Sequence, residues 1–216
     1  NNIKALILTA NGKLFCGGGN LKFLLSKKKE VKKTLLEMTM YFHGAISRMA
    51  RMSAPVIVGV NGTAGGGGFS LAITGDIIYA VKDAKFTLAY TNAGLSPDGS
   101  STYYLPRIVG MKRAKELMLT NRLFSAEEAH DMGLIDLVVN SNEELNEALN
   151  TQAEAFSKGP INAYKSVKKL LNESFHNSLE SQMEMESIHI SNNAESKHGI
   201  EGITAFSEKR KPNFNE

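Results

Sequence analysis

The sequence predicts an α/β fold that gives way to a helical region, and three observations carry that expectation. Apolar runs of strand length recur through the first half. Between the first two lies a long apolar stripe at helical spacing, so strand and helix alternate as they do in layered α/β proteins. The second half changes to mainly helical patterning. With 216 residues, 42% of them hydrophobic, the chain can bury one sizeable core.

The elements follow in order. Ile3-Lys4-Ala5-Leu6-Ile7-Leu8-Thr9 is a short apolar run closed by Asn11-Gly12, and Pro55-Val56-Ile57-Val58-Gly59-Val60 is a second; both fit buried parallel strands. From Val31, the residues Leu35, Met38, Phe42, Ile46 and Met49 recur at spacings of three and four, a helical stripe facing a core. Leu36, Met40 and His43 make a weaker second stripe, which predicts cover on two sides. Asp76-Ile77-Ile78-Tyr79-Ala80-Val81 reads as a third strand and Lys85-Phe86-Thr87-Leu88 as a short fourth. Ser125-Ala126-Glu127-Glu128 and Ser141-Asn142-Glu143-Glu144 each set a serine three residues before a glutamate, the capping-box signature of a helix start. Gly159-Pro160 ends one helix and starts another, and residues 161–206 continue as helix. Residues 1–140 therefore read as the core and 141–216 as a helical region, separated by a packing boundary without repeat or linker.

Composition excludes several classes of function. Lys and Arg number 25 against 22 for Asp and Glu, and a net charge of +3 does not suggest a nucleic-acid partner. The lone cysteine, Cys16, rules out an internal disulfide framework and a cysteine-rich zinc site, and suits a reducing compartment, whether cytoplasm or organelle. No run approaches ~18 consecutive apolar residues, so no membrane span is expected. The first residues read as the start of a strand rather than as a signal peptide. His130, His176, His189 and His198 lack ligand-like spacing with one another or with carboxylates, and no metal site is expected.

Val60-Asn61-Gly62-Thr63-Ala64-Gly65-Gly66-Gly67-Gly68-Phe69-Ser70 is the motif that bears most on function. Glycine lets backbone approach a ligand closely, and the first N–H groups of a helix have no intrahelical partner. The run lacks the Lys-Ser/Thr ending of a P-loop and the spacing of a dinucleotide fingerprint, which argues against nucleotide phosphates. A second cluster, Phe15-Cys16-Gly17-Gly18-Gly19-Asn20-Leu21, follows the first strand. Each loop alone reads as a tight turn between strand and helix. Together, at the same end of a parallel sheet, they can offer two donors to a developing oxyanion.

With these loops, the chain resembles the crotonase (enoyl-CoA hydratase/isomerase) superfamily. Leu6-Ile7-Leu8-Thr9, Phe15 to Leu21, Pro55 to Val60, Asn61-Gly62, Gly66-Gly67-Gly68 and Ala205-Phe206-Ser207-Glu208-Lys209-Arg210-Lys211 carry the likeness. The resemblance runs nearly from end to end, and it implies that the family's opening strand and helix, with part of the wall around CoA, are missing from this chain. It further implies a crotonase (ClpP-like) spiral of ββα turns with a helical C-terminal trimerisation region, assembled as a homotrimer or dimer of trimers. The substrate would be an acyl-CoA, with CoA bound only as part of the thioester and no separate cofactor.

By the same resemblance, the thioester oxygen accepts hydrogen bonds from the N–H groups of Gly19 and Gly67. The CoA would meet Cys16 and Gly17, and across a subunit boundary Phe206 and Lys209. Phe23, Leu24, Phe69, Ser70, Tyr90 and Leu95 are the expected substrate-pocket residues. The family's hydratases use two glutamates where this chain has Ser70 and Tyr90. Neither hydroxyl replaces a paired carboxylate at neutral pH, so ordinary hydration is disfavoured.

A carboxylate does occur in Ser96-Pro97-Asp98-Gly99, a segment similar to the acidic loop of Δ3,Δ2-enoyl-CoA isomerases and of 1,2-epoxyphenylacetyl-CoA isomerase-like enzymes. As a bare sequence it is also an ordinary turn. Under the resemblance, Asp98 shuttles a proton from C2 to C4 of an enoyl-CoA, in fatty acid metabolism. His43 and the segment from Gly110 to Arg122 also resemble 4-chlorobenzoyl-CoA dehalogenases, in which Asp98 would be the nucleophile and His43 would assist hydrolysis, so the same-fold alternative is thioester-activated substitution or hydration by Asp98 with help from His43. Tyr90 stands where those enzymes have tryptophan. A half-buried helix residue is the plain account of His43. A third alternative is a non-catalytic crotonase-like protein that binds CoA, RNA or a partner. Lys27-Lys28-Lys29 with Lys32 and Lys33 reads as a solvated face that can also meet CoA phosphates.

Overall fold

The computed structural model of the protein describes residues 3–214. Its strands alternate between two sheets. β1 (Leu6–Leu8), β3 (Val56–Val60), β5 (Ile77–Val81) and β8 (Leu137–Val139) lie side by side in that order in one; β2 (Leu14–Cys16), β4 (Thr63–Gly65), β6 (Lys85–Thr87) and β7 (Phe124–Ser125) form the other. β3 pairs parallel with β5 and β5 with β8, while β2 pairs parallel with β4 and β4 with β6. β6 and β7 run antiparallel. Parallel neighbours require a long crossover. The helices supply it: α1 (Leu21–Ser26) and α2 (Val31–Arg51), then α3 (Gly67–Ala72), then α4 (Ser101–Thr120). Each ββα turn thus gives its first strand to one sheet and its second to the other, and the next turn stacks beside it. The outcome is a spiral.

The chain divides into two compact units. One is Ile7–Met49 with Val56–Leu149; among the described residues, the other is Ala50–Pro55 with residues 3–6 and 150–214. In the larger unit, Val56, Ile57, Val58 and Val60 have no exposed surface, which is why β3 reads as an unbroken apolar run. Asp76 Oδ2 accepts from the Val56 N–H at 2.7 Å, and Asp136 Oδ2 from that of Ile78 at 2.7 Å, so carboxylates close donors near the starts of two central strands. The rings of Phe69, Phe86 and Phe124 meet with centroids 5.6–6.4 Å apart. α5 (Ala126–Asp131) starts where expected, with Ser125 Oγ accepting from the Glu128 N–H at 3.1 Å. Ser141 likewise accepts from Glu144 N–H at 3.2 Å at the head of α6 (Asn142–Ser157).

Two expectations change, and one helix carries a break. The first strand is limited to β1, and Ile3 is half exposed. The second stripe of α2 is not covered among the described residues: Leu36 and Met40 lie about three-fifths exposed. α4 is interrupted at Gly110, whose φ of 79° and ψ of 156° are not helical.

In the smaller unit, α7 (Ile161–Glu173), α8 (Leu179–Glu195) and α9 (Lys197–Ser207) pack in sequence. Ser178 and Ser196 cap α8 and α9 through the N–H groups of Ser181 and Gly199. Arg210 clamps Glu201 with bonds of 2.7 and 2.9 Å, and Asn213 N–H adds a third at 2.7 Å. Arg210 first, and Asn213 second, hold the Glu201 carboxyl down to about 2. A carboxyl depressed by folding contributes stability that is complete above its ordinary value of 4.5 and lost as pH falls through about 2. The difference in thermal midpoint between wild type and Glu201→Gln, followed by circular dichroism, is therefore expected to be full above about pH 4.5 and to close on acidification toward 2. Added salt should shrink it, since the pair is solvent-exposed.

Candidate active site

Two glycine loops leave the ends of neighbouring parallel strands. After β2 the chain runs through Gly17, Gly18 and Gly19 to Asn20, whose side chain accepts from the Phe23 N–H at 3.0 Å and starts α1. After β4 it runs through Gly66 into α3. The loops nearly touch. A Cβ on Gly18, where φ is +90°, would sit 3.0 Å from both Gly65 O and Gly67 N; one on Gly68 would sit 2.0 Å from Cys16 O. Gly67 opens α3, so its N–H is one of those without an intrahelical acceptor. A Cβ on Gly19 would meet nothing within 4 Å, so that backbone borders open space.

One turn into α3, Ser70 meets a second group. Its side chain is fully buried, and Ser70 Oγ lies 2.8 Å from Tyr90 OH and 2.8 Å from Asp98 O. Tyr90 OH lies 2.8 Å from Asp98 Oδ1. Ser101 Oγ donates to the same Asp98 carbonyl at 3.0 Å. Burial above all, and then the Asp98 carboxylate, push the Tyr90 phenol well above its ordinary range. It stays protonated at physiological pH. The Asp98 side chain keeps 32% of its surface exposed, enough to reach a substrate.

His43, on α2, approaches the other side of Asp98, with Nε2 3.4 Å from Oδ2. The Gly99 N–H points at the same nitrogen at 3.2 Å. Because an amide N–H only donates, Nε2 carries a lone pair and the imidazole proton sits on Nδ1. In this arrangement His43 gives no proton to Asp98. Gly99 has a φ of +59°, and a Cβ there would lie 2.5 Å from the Phe42 ring and 2.9 Å from Ser70 Cβ. The Phe42 ring also lies 3.7 Å from where a Gly67 Cβ would be, so it stands between the donor loop and the acid loop. Sequence periodicity reads Phe42 as core and leaves this contact unseen.

The structure thus brings Asp98, His43, Ser70 and Tyr90 together, and sets the loop of Cys16, Gly17 and Gly19 beside Gly67. Phe69 and Ser70, expected in the substrate wall, are instead fully buried: Phe69 fills the aromatic cluster under α3, and Ser70 is turned onto Asp98. Leu24 is also buried, at 6% exposure, because it lies on the inner side of α1. Phe23 and Leu95 are exposed, with Lys27 Nζ 4.6 Å over the Phe23 ring. Cys16 Sγ accepts from the Gly18 N–H at 3.4 Å. Lys29, Lys32 and Lys33 rim a shallow groove with Leu36 and Met40. Phe206 and Lys209 belong to the smaller unit; Phe206 is 88% exposed and accepts from the Lys209 N–H at 3.2 Å. Among the described residues, no helix is long and apolar enough to cross a membrane.

A family model described as enoyl-CoA hydratase/isomerase matches residues 1–216. The chain is 34% identical to 1,2-epoxyphenylacetyl-CoA isomerase of Escherichia coli (strain K12) over 99% of its own length and 82% of that protein's. It is 30% identical to 4-chlorobenzoyl coenzyme A dehalogenase-1 of an Arthrobacter species, over 97% and 76% respectively. Its structure superposes on that of an enoyl-CoA hydratase from Polaromonas sp. JS666 with a TM-score of 0.91 and 35% identity, covering 97% of this chain and 81% of that one.

Proposed function

The chain belongs to the enoyl-CoA hydratase/isomerase family, and from that premise we propose that it moves a double bond within an enoyl-CoA thioester, with Asp98 as the acid–base group. Family membership makes it a crotonase-fold enzyme acting on acyl-CoA. The relatives carry isomerase, hydratase and dehalogenase names, so the choice among chemistries rests on the site.

The observation that carries the reading is a single carboxylate, Asp98, held by Tyr90 and backed by Ser70. Hydration by acid and base needs two placed titrating groups, and the second one here, His43 beside Asp98, has its Nε2 turned to the Gly99 N–H. A double-bond shift needs one. Asp98 takes a proton from C2 of a 3-enoyl thioester; the C–H electron pair moves into the thioester, and the oxygen becomes enolate-like. The N–H groups of Gly19 and Gly67 would stabilise that charge, each by a factor on the order of 10²–10³ in rate. The proton then returns to C4 as the double bond settles between C2 and C3. Atoms balance, and nothing beyond the CoA of the substrate is required. Phe206 and Lys209 would hold the adenine and phosphate end, and Cys16 and Gly17 would border the thioester. Leu179, Met183, Ile190 and Ile203, exposed on α8 and α9, support assembly as a homotrimer or dimer of trimers.

One observation favours a second reading. His43 Nε2 lies 3.4 Å from Asp98 Oδ2, as displacement on an aryl-CoA by Asp98 with water activated by His43 would want. That role needs the Nε2 lone pair, which the Gly99 N–H already occupies. Purified protein offered 3-enoyl-CoA is expected to form conjugated 2-enoyl-CoA, read by absorbance. Chloride release from 4-chlorobenzoyl-CoA without that activity would transfer the assignment to displacement. Binding of acyl-CoA with neither reaction would leave a binding protein.

A further inference from the structure

We propose that Tyr90 and Ser70 are positioning residues that hold Asp98 in either protonation state by reversing their two hydroxyl protons, with no heavy atom moving. The inference rests on the reading of Asp98 as the acid–base group. Its basis is a count of protons in a closed ring of oxygens: Asp98 Oδ1, Tyr90 OH, Ser70 Oγ and Asp98 O, joined by three contacts of 2.8 Å.

An ionised carboxylate only accepts, so Tyr90 then donates to Oδ1. Ser70 has one proton to give, to the Tyr90 oxygen or to the Asp98 carbonyl at 2.8 Å, with Gly66 O a longer acceptor at 3.4 Å. One of the three short contacts is left without a proton. When Asp98 takes a proton the ring fills: Oδ1–H donates to Tyr90, Tyr90 to Ser70, and Ser70 to the Asp98 carbonyl. That carbonyl is not orphaned in the ionised state, because Ser101 Oγ and N–H donate to it at 3.0 and 3.3 Å. Ser70 has no exposed surface, so the ring is closed to bulk water on that side. The titratable groups facing Asp98 are Tyr90 and, from α2, His43, whose Nε2 is turned to the Gly99 N–H. α3 and α4 present the uncharged Ser70 and Ser101.

The two hydroxyls therefore act in opposite directions. Without the Ser70 hydroxyl, the neutral acid can still donate to Tyr90, but the Tyr90 proton is left with only the Asp98 carbonyl, 3.4 Å away and already taken by Ser101, so the ionised form gains. Without the Tyr90 hydroxyl, the carboxylate loses a charge-assisted bond and the acid loses only a neutral one, so the neutral form gains. Ordinary support of Asp98 by a hydrogen-bonded neighbour would instead make Ser70→Ala favour the neutral form, because the Tyr90 donor is weakened.

The test is a pH titration of the Asp98 carboxyl carbon by NMR in the intact protein, labelled at its five aspartates and assigned by the signal lost in Asp98→Asn. Relative to wild type, Ser70→Ala is expected to titrate about half to one pH unit lower and Tyr90→Phe higher by a similar amount. Should Ser70→Ala fail to fold, Ser70→Cys keeps the volume with a weak donor and acceptor and must move the same way. Movement of both variants in one direction, or of neither, overturns the relay. Turnover on 3-enoyl-CoA is read in parallel, with kcat expected to fall in both variants and KM to stay near the wild-type value. The titration needs no substrate: opposite shifts alongside an active Asp98→Asn would sink the catalytic reading alone, while an inactive Asp98→Asn without opposite shifts would sink the relay alone.

Discussion

Asp98→Asn is expected to lower turnover of a 3-enoyl-CoA by a factor on the order of 10²–10⁴, the usual contribution of a positioned acid–base group, with little change in KM or in folding. The substitution keeps the shape of the side chain. Asparagine Oδ1 can still accept from Tyr90, whose oxygen lies 2.8 Å from the present Oδ1, and the backbone carbonyl keeps its bonds from Ser70 and Ser101. Only the capacity to take and return a proton is lost. Loss of exchange of the C2 proton with deuterated solvent would accompany the loss of turnover, since both begin with the same abstraction. A variant that turned over as fast as wild type would reduce Asp98 to a turn residue at the head of α4. A variant that bound acyl-CoA poorly would mean that the carboxylate positions substrate instead of moving a proton.

Much of this arrangement is legible in the residues, and what is not has identifiable causes. β3 shows itself because burial on both faces needs an unbroken apolar run. In the sheet of β2, β4, β6 and β7 only β6 does, as Lys85-Phe86-Thr87-Leu88, because strands two or three residues long carry too little periodicity for β2, β4 and β7 to register. Both glycine clusters stand out in the sequence, but their adjacency does not, since it depends on the parallel pairing of Cys16 with Ala64. Ser70 and Tyr90 can be singled out by likeness to a family with glutamates there. That Ser70 lies beneath Asp98, fully buried, follows from the helical turn that separates it from Gly67 and is a fact of three dimensions. His43 shows the same limit from the other side. Its place on α2 is clear from spacing, whereas the Gly99 N–H that fixes its tautomer comes from a loop 56 positions away.

Gly68→Ala is expected to be the most damaging of the glycine substitutions in the two loops, and its sign is informative. Within a helix, alanine in place of glycine normally stabilises by about 0.4–1 kcal/mol, through backbone entropy and helix propensity. Here the new Cβ would lie 2.0 Å from the carbonyl oxygen of Cys16 and 2.6 Å from its carbonyl carbon. Backbone cannot swing aside as a side-chain tip can, so β2 and α3 must part, at a cost of about 1–3 kcal/mol or more. Gly59→Ala is a graded comparison, because its Cβ would meet Leu149 Cδ1 at 2.4 Å, the mobile end of a side chain. Gly17→Ala is the folding control, with nothing within 4 Å of its Cβ. Urea midpoints should therefore fall in the order Gly17→Ala, Gly59→Ala, Gly68→Ala, from highest to lowest. Turnover of Gly68→Ala should drop further than its stability alone explains, since a displacement of ~1 Å between catalytic groups can cost on the order of 10² in rate. Equal midpoints for Gly68→Ala and Gly17→Ala would mean that the loops do not meet, and two N–H donors on separate loops could not then share one oxyanion.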